Sequence, residues 1–296
     1  MWIAVIVVIV LGCALTTCGA LAGTGLFGSQ QARTATAVEQ ADGHWQEATI
    51  AMERAATALS GLKPAVGPAT SAAVATAAAE ASVAVAAAQV ELKAAGEVVS
   101  GLPDSKLKVA YKGAVAEANA ALAGLDSMLV SLQTANRLYG VAAAGAEQVR
   151  GGTAHLAAGI LAANGDRYPD AHREALAATR SYDAARAAFK TGQAIDPKAG
   201  FDKAIAYTDK LTAEAKLLLQ LADAGASKQI AQYNTLAARQ AATQKEIAAL
   251  AQPPIIANRE AVVARIDRQR TAIRQHLDRA QKLYEQAKAE FRAMSN

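Results

Sequence analysis

Four histidines, His44, His155, His172 and His276, are the side chains best suited to acid–base work or metal binding near neutral pH. They are scattered along the chain, and none has a second histidine at a ligand spacing, so they read as surface or seam residues. Asp170 and Glu174 stand four apart and could grip a cation from one helix face. An exposed first-turn pair favoured by the helix dipole explains them more cheaply. Both cysteines, Cys13 and Cys18, fall in one apolar stretch, so everything after it lacks thiol chemistry. No phosphate-binding loop, dinucleotide fingerprint, Gly-x-Ser-x-Gly elbow or His-Glu-x-x-His occurs. The expectation is a protein with no catalytic residues, no cofactor and no metal.

The elements that would position any site are dictated by composition. Of 296 residues, 52% are hydrophobic but only 4% aromatic, because 78 are alanine. Helix propensity is therefore high and bulky core residues are few, which argues against a β-sandwich or a disulfide scaffold. The net charge of +4 resides in the last stretch, where nine basic residues face five acidic ones from Pro254 onward. Arg265, Arg268 and Arg274 there could meet an anionic surface, although mixed charges usually mark a solvated helix face. Nucleic acid is not an expected partner.

The most specific local signal is N-terminal. No charged side chain occurs before Arg33, and residues 2–22 supply about 20 mostly apolar positions, enough to cross a bilayer. Three fates fit: an uncleaved signal anchor, a signal peptide cut after Ala22 that would release a secreted protein, or lipidation at Cys18 behind an imperfect lipobox. Orientation is weakly determined, since Arg33 is the only basic residue soon after the span, and export is the favoured outcome, with the bulk of the chain in the periplasm or at the cell surface.

Beyond that stretch, all seven prolines lie beside other turn residues, so the intervals between them read as helices. The apolar period is close to seven per two turns. It runs from Val38 to Leu62, from Val74 to Leu102, and from Leu107 to Ala163 without a phase break. It continues through a shorter helix at about Asp170 to Lys190, a long one from Lys198 to Ala251, and a final one from Val263 to Met294. Ala185, Phe189, Gly192 and Pro197 resemble in spacing the second helix and closing proline of a tetratricopeptide repeat. Arg173 takes the usual glycine position upstream, and no 34-residue period follows, so the similarity covers fewer than 20 residues.

The expected fold is all-α: an N-terminal membrane-spanning helix, then long antiparallel alanine-rich helices in three-helix-bundle or coiled-coil packing. Two arrangements satisfy the lengths. Long helices shared between successive bundles give an elongated, spectrin-like stagger; bends at Gly145, Gly151, Gly152 and Gly225 give a compact bundle. The boundaries that follow are 1–27 for the signal segment, 28–165 for a proximal bundle and 166–296 for a distal one carrying the basic C-terminal helix. In that distal bundle the last helix pairs with the end of the Lys198 helix. An unmatched end hairpin would leave Tyr284, Phe291 and Met294 exposed, with Arg270 at the seam, as a surface for a protein partner or a second copy. The function expected is a membrane-anchored scaffold, tether or spacer in a cell envelope; the alternative is an extracytoplasmic ligand-binding or sensor domain.

Overall fold

The computed structural model describes residues 27–64, 67–250 and 259–295. Within them are seven helices and no strand: α1 (Phe27–Leu59), α2 (Pro68–Ser100), α3 (Lys106–Asn164), α4 (Tyr168–Ile195), α5 (Phe201–Ala226), α6 (Ile230–Ala249) and α7 (Arg259–Ser295). Proline punctuates as its missing N–H demands: Pro68 opens α2 and Pro169 lies in the first turn of α4, where no donor is lost. The Ser105 hydroxyl caps α3 by accepting from the Lys108 N–H.

Helix α3 is the axis of the molecule. Its 59 residues run unbroken, about 90 Å at 1.5 Å per residue. Along its first half, α1, α2 and α7 share one core with it, including Trp45, Leu59, Leu92, Tyr111, Leu125, Leu132, Ile266 and Tyr284. Its second half carries α4 and α5 around Leu156, Tyr182, Leu211 and Leu218, with a smaller cluster of Leu138, Phe189 and Phe201 between. Helix α6 rests on α5, with its Tyr233 ring edge-on to Tyr168 of α4 at 6.1 Å.

Three expectations change. First, α7 does not pair with the end of the Lys198 helix; it lies antiparallel on the first half of α3, with Ile273 over Gly124 and Leu283 over Gly113. A distal unit of 166–296 therefore does not describe the packing, and the proximal group has four helices rather than three. The physical reason is fit: those glycines leave slots that large α7 side chains fill. Second, the Lys198–Ala251 helix folds back as the α5–α6 hairpin. The turn is a Schellman pair, in which the Gln229 N–H donates to the Ala224 carbonyl and the Lys228 N–H to that of Gly225. Third, Gly145 and Gly152 are sockets rather than bends. A Cβ on Gly145 would lie 2.3 Å from the Phe189 ring, and one on Gly152 would lie 2.5 Å from the Tyr182 ring. Gly225 likewise receives Tyr168, while Gly151 meets only the Ser181 hydroxyl at 4.0 Å.

Candidate functional site

The richest cluster of polar and aromatic groups forms where α1 faces α7. Their backbones stay apart, and long side chains fill the gap. Trp45 stacks on Tyr284 at 4.9 Å between centroids, and Tyr111 meets Tyr284 edge-on at 5.8 Å. Asp42 lies beside this trio: the Tyr111 hydroxyl donates to its carboxylate, and Lys288 Nζ stands 3.8 Å away and 5.3 Å from the Tyr284 ring. Burial pushes the Asp42 carboxyl above its ordinary range, opposed by the charge of Lys288 and a hydrogen bond from Tyr284. A raised carboxyl next to a lysine and two phenols is chemically capable of proton transfer. Here the Asp42 side chain is 22% exposed, held by Tyr111 and Lys288 against Trp45 and Tyr284, which are both at most 5% exposed. The arrangement fixes the register of α7 on α1.

Arg270, expected at an open seam, instead closes the end of α1: its guanidinium donates to the Leu59 and Leu62 carbonyls at 3.2 and 2.6 Å and pairs with Asp267. The Leu59 carbonyl is an orphan of the helix terminus and that of Leu62 lies in the turn after it, and a cation is the natural partner for both. Tyr284 is buried, and Phe291 is half-buried against the proximal core. Only Met294 keeps a largely free side chain, at 48% exposure, while its carbonyl accepts from Gln31. The apolar side of α7 is thus occupied within the chain, which corrects the expectation of an unmatched hairpin. Arg265, Arg268 and Arg274 are exposed on α7 as the charge pattern suggests. Cys18 and residues 2–22 lie outside the described residues.

Every histidine faces a carboxylate on another helix. Nδ1 of His44 is 2.7 Å from Glu91, that of His155 is 2.8 Å from Glu174, that of His172 is 2.8 Å from Asp223, and that of His276 is 2.7 Å from Glu117. Each clasp ties a different pair of helices: α1 to α2, α3 to α4, α4 to α5, and α7 to α3. Arg279 also donates to Glu117, at 2.9 Å, and these hydrogen bonds hold that carboxyl below its ordinary range. Asp170, thought of as a cation grip with Glu174, pairs with Arg167 and Arg173 instead. Among the described residues, no group of three His, Cys, Asp or Glu is placed to hold a metal ion.

A second buried polar line crosses the distal helices. The Tyr182 hydroxyl lies 3.4 Å from Thr153, and burial pushes its ionisation up to about 12. On α5, Glu214 is 4% exposed; burial raises its carboxyl, and only a hydrogen bond with Gln244 of α6 opposes that. Sequence reading missed both Asp42 and Glu214. The signal was available for Glu214, which follows Leu211 by three and precedes Leu218 by four, a core spacing. A cleft of 310 Å³ between α4 and α5 is lined by Asp183, Arg186, Asp209, Thr212, Ala213 and Lys216. Its charges neutralise each other, as Arg186 Nε contacts Asp209 at 2.6 Å, and it lacks the apolar lining of most ligand pockets.

Two helices, α2 and α3, are long and apolar enough to cross a membrane, although each buries a stripe in the bundle. The outward face of α2 is charge-free along Ala69, Ala72, Thr76, Ala79, Val83, Ala86 and Val90, with the two valines 74% and 65% exposed. No family model, no curated protein and no solved structure matches the chain.

Proposed function

We propose that this protein is a membrane-anchored, extracytoplasmic scaffold, a tether or spacer in the cell envelope that carries no catalytic chemistry. The observation that carries the reading is α3: one 59-residue helix serves two core groups in series, with α1, α2 and α7 along its first half and α4 and α5 along its second. Such a stagger converts chain length into reach, a spacer's requirement, and resembles the spectrin-like sharing of helices between bundles. The charge-free residues 2–22 supply a membrane-grade segment directly before α1. Partner contacts, on this reading, use the outward face of α7, including Arg265, Arg268 and Met294, since its inner face is occupied. The filled cores and the charge-balanced α4–α5 cleft give the ligand-binding alternative no specific support.

Two measurements test this. Protease accessibility in spheroplasts, with the mature N-terminus mapped, should show residues 27–296 cleaved from outside. Protection until the cells are lysed would refute the placement. Small-angle scattering on residues 27–296 should give a maximum dimension near the length of α3, about 90 Å. A globular profile would remove the spacer reading.

A further inference from the structure

Helix α6 is held differently from every other helix. Its backbone packs on α5 alone, its Tyr233 ring meets Tyr168 of α4 edge-on at 6.1 Å near the turn, and among its residues only Leu236 and Gln240 are buried. Beneath it lies Glu214, 4% exposed on α5 and without a cationic partner among the described residues. The groups around that carboxyl come from four helices. On α6, Gln244 hydrogen-bonds it, and Gln240, one turn away, has a buried Nε2 with no partner. On α4, Tyr182 is close enough to feel its charge. On α5, Lys210 stands one turn earlier, its Nζ already 2.9 Å from Glu246 of α6. Thr153 of α3 lies behind Tyr182. An ionised carboxylate in this setting loses its water without gaining a counter-charge, whereas a neutral carboxyl can both donate to and accept from a glutamine amide.

We propose that α6 is a proton-controlled strap, docked on α5 while Glu214 is neutral and released from it when Glu214 ionises. The sign follows from the cost of burial. With α6 lifted, Glu214 regains water and its ordinary ionisation range near 4.5; with α6 docked, the range is higher. Docking is therefore fully favoured below the ordinary range and weakens as pH rises through the docked one. Leu217 and Leu221 follow Glu214 by three and seven residues and so share its face of α5, the apolar strip that release would bare. Both ends of α6 remain tied to the chain, so the motion is a swing and not a loss.

The chain's own cysteines, Cys13 and Cys18, can be replaced by serine in the full-length protein. New cysteines at the exposed Ala213 and Ala241 then carry spin labels on α5 and α6. Electron–electron distance measurements at about pH 5 should give one short distance, and at about pH 8 a second, longer population several-fold larger. Glu214→Gln, which is isosteric and cannot ionise, should keep the short distance at both pH values. An unchanged wild-type distribution across that range would overturn the proposal. So would a Glu214→Gln protein that opens with pH as the wild type does, and circular dichroism on the same samples confirms that both are folded.

Discussion

The two halves of α3 both use glycine as a socket but build different cores around it. In the proximal half Ala110, Ala114, Ala118 and Ala121 are buried at most 3% exposed, and the volume between the four helices is filled by Trp45, Tyr111 and Tyr284 at its centre. In the distal half Gly145, Gly152 and Gly159 recur every seven residues and receive the tips of Phe189, Tyr182 and Leu218. Glycine sockets occur in both halves, since Gly113 and Gly124 receive Leu283 and Ile273, but the proximal half alone gathers three rings into one central stack, while in the distal half the large side chains enter one gap each. The lesson is that an alanine-rich protein still depends on its few large residues, and that their positions decide what each small residue is for.

The largest expected effect tests the proximal half. Trp45→Ala removes the ring stacked on Tyr284 and should cost about 3–5 kcal/mol in denaturant unfolding, with α7 losing its hydrogen-exchange protection first. If α2 and α7 lose protection together and equally, Trp45 supports the whole group and not the α1–α7 seam.

Next in size is a paired test of the sockets. Gly145→Ala would drive a Cβ into the Phe189 ring and should destabilise by about 1–3 kcal/mol, despite the better helix propensity of alanine. Gly43→Ala and Gly140→Ala meet nothing within 4 Å, so the same substitution there should stabilise by about 0.5–1 kcal/mol. Thermal melts of the three variants decide the matter: if all shift the same way, the glycines of α3 are not sockets.

Much of this fold is legible in the sequence. The unbroken phase from Leu107 to Ala163 marks α3 correctly, because a heptad pattern survives any choice of partner. What the pattern cannot supply is which seam a helix joins. Ile266, Ile273 and Ala280 have the right spacing for the α5–α6 side as much as for α3, and the complementary features, Gly113 and Gly124, are informative only once the two are brought together. The α5–α6 turn was hidden for a similar reason. Ala226 and Tyr233 are seven apart and keep the phase, while Ser227, Lys228 and Gln229 include neither glycine nor proline. Of the polar groups, Arg270 stood out as a charge at a seam position, but its carbonyl partners on α1 belong to another part of the chain.

That turn offers a smaller effect. Lys228 and Asp166 occupy the left-handed region, at φ 54° and 58°, at corresponding places after α5 and α3. Lysine lacks the short side chain that makes aspartate tolerable there. Lys228→Gly should therefore stabilise by about 0.5–1 kcal/mol, and Asp166→Gly by less, after the greater unfolded-state freedom of glycine is counted. Equal gains at both sites would show that the strain is not specific to lysine.

The smallest effect separates the halves by pH. Glu117 clasps α7 to α3 through His276 and Arg279, and those hydrogen bonds depress its ionisation below 4.5. Its contribution is present above that value and lost as pH falls through the depressed one. Glu214 has the opposite sign, since burial raises its range and neutral to alkaline conditions weaken its contribution. Acid should therefore loosen α7 in the proximal half under conditions that hold α6 most firmly in the distal half. The Glu117 pair is only half-buried, so the shift in melting temperature will be modest and diminished by salt. Glu117→Gln should flatten the acid side of the α7 exchange profile and leave that of α6 unchanged. A variant that alters both would mean that the two halves of α3 are coupled along the helix, and that the contrast between them does not extend to their response to protons.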